Sequence, residues 1–248
     1  SRPAKKETMD AKTLILLTVA VAIFACHTIA QPHYIEVSEE SEEWCPPENN
    51  NTDNNNPNRT DHDSALCANF QHIRAMINQE ALLNLIEVHY NCDLKFRRAM
   101  RYYNTAGFER TTQQLTDTDA YKTVLKELQS ESVDTADIET VADIFHCIIL
   151  PVRQPDRNCD CKAVKHHTFV GDLLSIMPKQ EVHNYVAQSQ ANHTNFGNFT
   201  KAVVSKQFQA TLKANINKRD VVKPLRTLRK NGWDIPELLR AMLTIFQW

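Results

Sequence analysis

Leu225-Arg-Thr-Leu-Arg-Lys-Asn-Gly-Trp-Asp-Ile-Pro-Glu-Leu-Leu-Arg-Ala-Met-Leu-Thr-Ile-Phe246 reads as the end of one helix, a turn and the start of another. Gly232 can take the left-handed conformation that closes a helix at its C′ position. Asp234 and Glu237 form a D-x-x-E variant of the capping box for the helix that follows. Ile235, Leu238, Leu239, Met242, Leu243 and Phe246 then fall on one face at helical spacing. Burying such side chains contributes on the order of 1.5–3 kcal/mol each. The stripe must therefore be covered by other elements.

Those elements recur with a fixed offset. Moved by 100 positions, Phe96 falls on Phe196, Phe108 on Phe208 and Thr111 on Thr211. Leu125 and Leu128 fall on Leu225 and Leu228, and Asp134 falls on Asp234. Elsewhere residue class is kept, as in Leu82 with Val182, Ile86 with Val186 and Ile138 with Leu238. Helix boundaries match as well as residues, which marks an internal duplication.

Apolar residues at i, i+3, i+4 and i+7 predict helices over 79–90 (Leu82, Leu85, Ile86, His89) and 93–103 (Phe96, Ala99, Met100, Tyr103). They predict two more over 118–131 (Tyr121, Val124, Leu125, Leu128) and 134–150 (Ile138, Val141, Ala142, Phe145, Ile149). Asp134 is the expected N-cap of the latter and Pro151 its stop. Pro178 and Pro224 are expected in first turns, where N–H groups lack helical partners. Glycine is scarce, with four in 248 residues, and no window alternates like a strand. The expected fold is all-α: two tandem multi-helix repeats, 67–151 and 168–248, packed into one globular body.

The rest of the chain is of another kind. Met9, the apolar run Leu14 to Ala25 and the small-x-small ending Thr28-Ile29-Ala30 predict a secretory signal over 9–30, with 1–8 as upstream translated residues. The run is too short to span a bilayer core of about 30 Å comfortably. Removing 1–30 takes away four basic and two acidic groups, so the net charge goes from −2 to −4. Residues 31–66 carry nine acidic groups against Arg59 and are rich in Asn, which predicts a disordered extension. Residues 67–248 are left at about +4, too mild a balance for a nucleic-acid partner.

Six cysteines remain beyond the signal: Cys45, Cys67, Cys92, Cys147, Cys159 and Cys161. In a secreted chain they suggest disulfides, with pairing open. Cys159-Asp-Cys161 near His166 and His167 lacks the C-x₂₋₄-C spacing of zinc sites, so no metal is expected. Cys159 and Cys161 belong to a connector over 152–167. Sequons at Asn50, Asn58, Asn192 and Asn198 fit the same compartment, although Asn198 falls inside a predicted helix.

Catalytic signatures are missing. There is no G-x-S-x-G, H-E-x-x-H, P-loop or dinucleotide fingerprint, and no cofactor is expected. His72, His89, His146 and His183 stand singly, with no base partner evident in the sequence. Lys218, Arg219, Lys223, Arg226, Arg229 and Lys230 form a basic cluster that reads first as a solvated helix face. It could also approach anionic headgroups in a transient membrane contact.

Phe169-x₃-Leu173-Leu-Ser-Ile-Met-Pro178, then Val182-x₃-Val186, Phe196, Phe208 and Leu225-x₂-Leu228-x₃-Gly232-Trp-Asp234-x₃-Leu238-Leu239 resembles the insect allergen-related repeat. That family includes cockroach group 1 allergens, mosquito midgut microvillar proteins and caterpillar nitrile-specifier proteins. The likeness covers about 69–247. Asn78, and Glu131-Ser132-Val133 in place of the glycine turn, depart from the pattern in the first copy. The resemblance implies a hollow helical capsule holding fatty acids or phospholipids, secreted into the insect gut. On that reading the interior would be walled by Leu82, Ile86, Phe96, Met100, Val182, Val186, Phe196, Phe208, Leu225, Leu228, Leu238 and Met242. It also implies an alternative, a digestive or detoxification factor related to the nitrile-specifier proteins, while the amphipathic helices and the basic cluster offer another, a membrane-active protein that delivers lipid or lyses membranes.

Overall fold

Twelve α-helices follow one another from Leu66 to Phe246 in a computed structural model that describes residues 66–147, 161–162 and 164–248. They are α1 (Leu66–Met76), α2 (Gln79–Cys92), α3 (Leu94–Tyr103), α4 (Ala106–Thr116), α5 (Asp119–Ser130) and α6 (Val141–His146). The second copy supplies α7 (Phe169–Ile176), α8 (Lys179–Ala191), α9 (Asn195–Val204), α10 (Lys206–Ile216), α11 (Arg219–Lys230) and α12 (Ile235–Phe246). The described residues contain no strand. The expected signal segment and acidic extension, Cys45, Cys159, Asn50, Asn58 and most of the connector lie outside them.

The offset of 100 is visible in the helix limits. Helices start at Gln79 and Lys179, at Ala106 and Lys206, and at Asp119 and Arg219. Local chemistry explains the boundaries. Nine helices open on a Ser, Thr, Asp or Asn whose side chain accepts a backbone N–H of the first turn, Asp93, Thr105, Thr118 and Ser205 among them.

The two copies interleave. The fourth helix of each packs on the fifth helix of the other, α4 on α11 and α10 on α5. The first helices are exchanged as well: α1 packs on α8 and α9, whereas α7 packs on α2. Each aromatic cluster of the core thus draws on both copies. Phe70 meets Phe196 and Phe199 edge-on at 5.9 and 5.8 Å, and Phe246 closes that group. In the other cluster, Trp233 packs on Tyr103, Phe108 and Phe145. Such pairs add about 0.5–1.5 kcal/mol each beyond area burial.

The turn before the last helix of each copy joins it to the third helix of the other. Gly232 has φ +97°, and the bonds Trp233 N–H to Leu228 O and Gly232 N–H to Arg229 O make a Schellman motif. A Cβ at Gly232 would lie 2.4 Å from Lys95 O, so α3 also needs the glycine here. The first copy keeps the same two bonds with Ser132 in the left-handed position, at φ 61°. Its departure from the family's glycine therefore changes the residue and preserves the turn. There Asn195 brackets Asp134 from α9, accepting its N–H at 2.7 Å and donating to its carbonyl at 3.1 Å.

Three local expectations are corrected. The helix expected over 134–150 is interrupted: a 3₁₀ turn (Ala136–Ile138) precedes α6, and Leu150 lies outside the described residues. Thr140 causes the break, because it forms a reciprocal capping box with Asp143 and restarts the helix. Asp134 turns back instead, accepting the N–H of Ala136. Pro224 lies inside α11, five residues after its start at Arg219, where its missing N–H deprives the carbonyl of Asp220 near the exposed helix end. Pro178 is the residue before α8 and caps nothing with its side chain.

Two disulfides stand among the described residues. Cys67–Cys147 ties the start of α1 to the end of α6, and Cys92–Cys161 ties the end of α2 to the connector.

Candidate functional site

Where the copies meet beside α3 there is a cleft of about 150 Å³. Its floor is apolar, with Phe96 and Met100 from α3, Phe169 from α7, Trp233 from the turn and Leu238 from α12. Phe96 and Phe169 pack with centroids 4.4 Å apart and their planes tilted by 35°. Trp233 is held in place by its indole N–H, which donates to Ala99 O at 3.1 Å. Charged groups gather at the opening. Lys95 Nζ lies 3.9 Å from Asp234 and 3.8 Å from Glu237, and Arg229 approaches Asp234 at 3.4 Å. The cleft is thus amphipathic, with an aromatic base and a polar rim. A second concavity, of about 30 Å³, lies between α5 and α10 around Tyr121, Val124 and Leu212.

Directly behind Phe96 and Phe169 lies a chain of titratable side chains. His89 is fully buried on α2, with Nε2 3.0 Å from Asp172 Oδ2 and Nδ1 3.5 Å from Asp93 Oδ2. The other oxygen of Asp172 meets His167 Nδ1 at 2.8 Å. No base partner of His89 is evident in the sequence; the fold brings two carboxylates to it, Asp172 in a hydrogen bond and Asp93 within ion-pair distance of an Nδ1 that makes no hydrogen bond. The i, i+4 spacing of His89 and Asp93 could have signalled one of them, while Asp172 comes from 83 residues away. The ring of His89 meets Phe169 and Phe96 at 5.4 and 6.0 Å, so the chain braces the cleft wall. Among the described residues no group of three His, Cys, Asp or Glu is arranged to hold a metal ion.

All twelve residues expected to wall an interior are buried, from Leu82, Val182, Phe196, Leu228 and Met242 at 0 % to Ile86 and Leu225 at 8 % exposure. The fold puts three of them, Phe96, Met100 and Leu238, on the cleft. It packs Leu82, Ile86, Val182, Val186, Phe196, Phe208, Leu225, Leu228 and Met242 into the same continuous core. Phe169 and Trp233, the two aromatics that complete the floor, are not among those twelve. Both carry the needed signal in the motif itself, Phe169 at its head and Trp233 in the glycine turn.

The family model of the insect allergen related repeat, described with nitrile-specifier detoxification, matches residues 65–239. The chain belongs to this family. Comparison with curated proteins and with solved structures found no significant match. The insect allergen related repeat thus reaches into both copies and includes every residue that lines the cleft, ending within α12. No helix among the described residues is long and apolar enough to cross a membrane.

Proposed function

We propose that this protein is a secreted, non-enzymatic carrier of apolar lipids, fatty acids or phospholipids, working in the insect gut or in feeding. The observation that carries the reading is the amphipathic cleft at the seam between the copies. An aromatic and aliphatic floor with a charged rim suits a ligand with an apolar chain and a polar head. At about 150 Å³ the cleft is smaller than the roughly 300–1,000 Å³ of a typical small-molecule site, so loading requires the seam to open. Opening it means releasing the Trp233 bond to Ala99 O and the contact of Phe96 with Phe169. The disulfides support secretion, being bonds that persist in oxidising compartments. The apolar floor favours lipid over the detoxification named in the family's description.

Organic extraction of the purified protein, with mass spectrometry of the extract, tests the proposal. Stoichiometric acyl chains are expected, together with uptake of a fluorescent fatty acid that Met100→Trp and Leu238→Trp reduce by filling the floor. A dry extract combined with no uptake would refute it.

A further inference from the structure

The face beside the cleft carries two aligned stripes of exposed basic residues. On α11, Arg219, Lys223, Arg226 and Lys230 follow one another at i, i+4, i+7 and i+11, opposite the buried Val221, Leu225 and Leu228. On α3, Arg98 and Arg101 lie on the face opposite the buried Phe96, Met100 and Tyr103. The stripes are joined, since Arg98 Nη1 donates to the carbonyl of Lys230 at 3.3 Å. All six side chains are exposed, and none makes an ion pair within the described residues. The acids nearby are Asp93, the N-cap of α3 that accepts the N–H groups of Lys95 and Phe96, Asp220, exposed beside Arg219, and Asp234 and Glu237, which Arg229 and Lys95 already engage.

One turn before Arg98 on the same α3 stripe stands Leu94. At 68 % exposure it is the conspicuous large hydrophobic side chain on the described surface. A protruding leucine at the edge of an unpaired basic face has the chemistry of a peripheral membrane anchor: charge draws the face to anionic headgroups and the leucine enters the boundary. We propose that the α3–α11 face docks on an anionic lipid bilayer, with Leu94 inserted and the six basic residues on the headgroups.

The proposal deepens the carrier reading and rests on it for its purpose. Lys95 and Phe96, the neighbours of Leu94, line the cleft, as do Gly232 and Trp233 just beyond Lys230. Docking would therefore hold the cleft's rim at Lys95 beside the membrane surface, with the floor of Phe96 and Met100 on the other side of α3.

Co-sedimentation of the full chain with vesicles tests this, using phosphatidylcholine alone and an equimolar mixture with phosphatidylserine. Binding to the mixed vesicles only, weakening as salt rises, is expected. Arg226→Gln with Lys230→Gln should lower partitioning about fivefold for each charge removed. Leu94→Ser should lower it about tenfold while leaving the salt dependence in place. Equal binding to both vesicle types, or full binding by the charge variant, overturns the proposal. So does retention on heparin without binding to mixed vesicles, which would assign the face to a polyanion. Lipid extraction of the same preparations keeps the two readings apart. Bound acyl chains without vesicle binding reject the docking face alone, and vesicle binding by a lipid-free protein that takes up none rejects the carrier.

Discussion

The indole N–H of Trp233 donates to the carbonyl of Ala99, 134 residues earlier, and so fastens the glycine turn of the second copy to the third helix of the first. The equivalent turn of the first copy is fastened to the second by Asn195 on Asp134. Two copies that exchange turns, first helices and the fourth-on-fifth packing form one cooperative body. The cleft lies on one of the two exchanged turns, which is why residues from both copies build it.

This symmetry makes the two turns a matched pair for mutation. Gly232→Ala forces a Cβ to 2.4 Å from Lys95 O at a φ of +97°, so it should cost about 2–4 kcal/mol. Ser132→Gly sits in the same Schellman turn, where a non-glycine residue is already accommodated. It should change stability by less than about 1 kcal/mol. Urea denaturation of both variants measures the difference, and equal costs would show that close approach to α3 does not set the glycine.

The disulfide Cys67–Cys147 closes a loop with a sequence separation of 80. Replacing both cysteines with serine should cost about 4 kcal/mol if constraint of the unfolded chain dominates. Chemical denaturation without reductant measures this loss, and reduction of the unsubstituted protein, which also opens Cys92–Cys161, should cost at least as much. Unchanged stability on reduction would place the stabilisation in the packing of α1 on α8 and α9.

Much of this fold can be read from the chain because its signals are local. Thr105, Thr118, Asp93 and Ser205 each stop or start a helix through a bond within three residues, and the copies match at a constant offset. The interruption at Thr140 escaped because the apolar spacing of Ile138, Val141 and Phe145 runs through it. Crosswise packing escaped for a different reason: a stripe such as Leu225 and Leu228 states that it is buried, not that α4 covers it. The site was legible to the same degree. Phe96, Met100 and Leu238 were named as interior, yet periodicity cannot tell a cleft floor from solid core. The pairing of His89 with Asp172 depends on the placement of α7, which no local pattern encodes.

Asp172 serves His89 and His167 at once, from the first turn of α7. Asp172→Asn should therefore cost about 1–3 kcal/mol and loosen α7 against α2. Hydrogen exchange should show faster opening across 169–176, with little change in α10 or α11. Uniform acceleration through the whole chain would mean that the pair stabilises the fold globally and does not brace the cleft wall.

Of the two sequons in the second copy, only one is positioned for use. Asn192 is exposed at the end of α8. Asn198 is engaged with Ser132 O across the copies, and its sequon threonine, Thr200, is fully buried and bonded to Gly197 O. Expression through a secretory pathway should give a mobility shift on enzymatic deglycosylation that Asn192→Gln reduces and Asn198→Gln leaves unchanged. A shift that depends on Asn198 would mean that the turn at Ser132 opens away from α9.

Tyr121 should contribute to the alkaline limit of the fold, with Tyr185, also raised by burial, adding to it. It donates its hydroxyl to Ile138 O at 2.6 Å, and burial, with the nearby Asp143 adding to it, raises its pKa far above the ordinary 10.0. Below pH 10 both the folded and unfolded phenols keep their proton, so the contribution is fully present. As pH rises past 10 the unfolded chain releases a proton that the folded chain holds, and stability falls. Tyr121→Phe removes this dependence and loses the hydrogen bond, at about 1 kcal/mol. The variant should thus be the less stable protein at pH 8, with a shallower decline above pH 10. Thermal unfolding across that range measures both slopes, and parallel curves would show that other groups, not Tyr121, govern the alkaline limb.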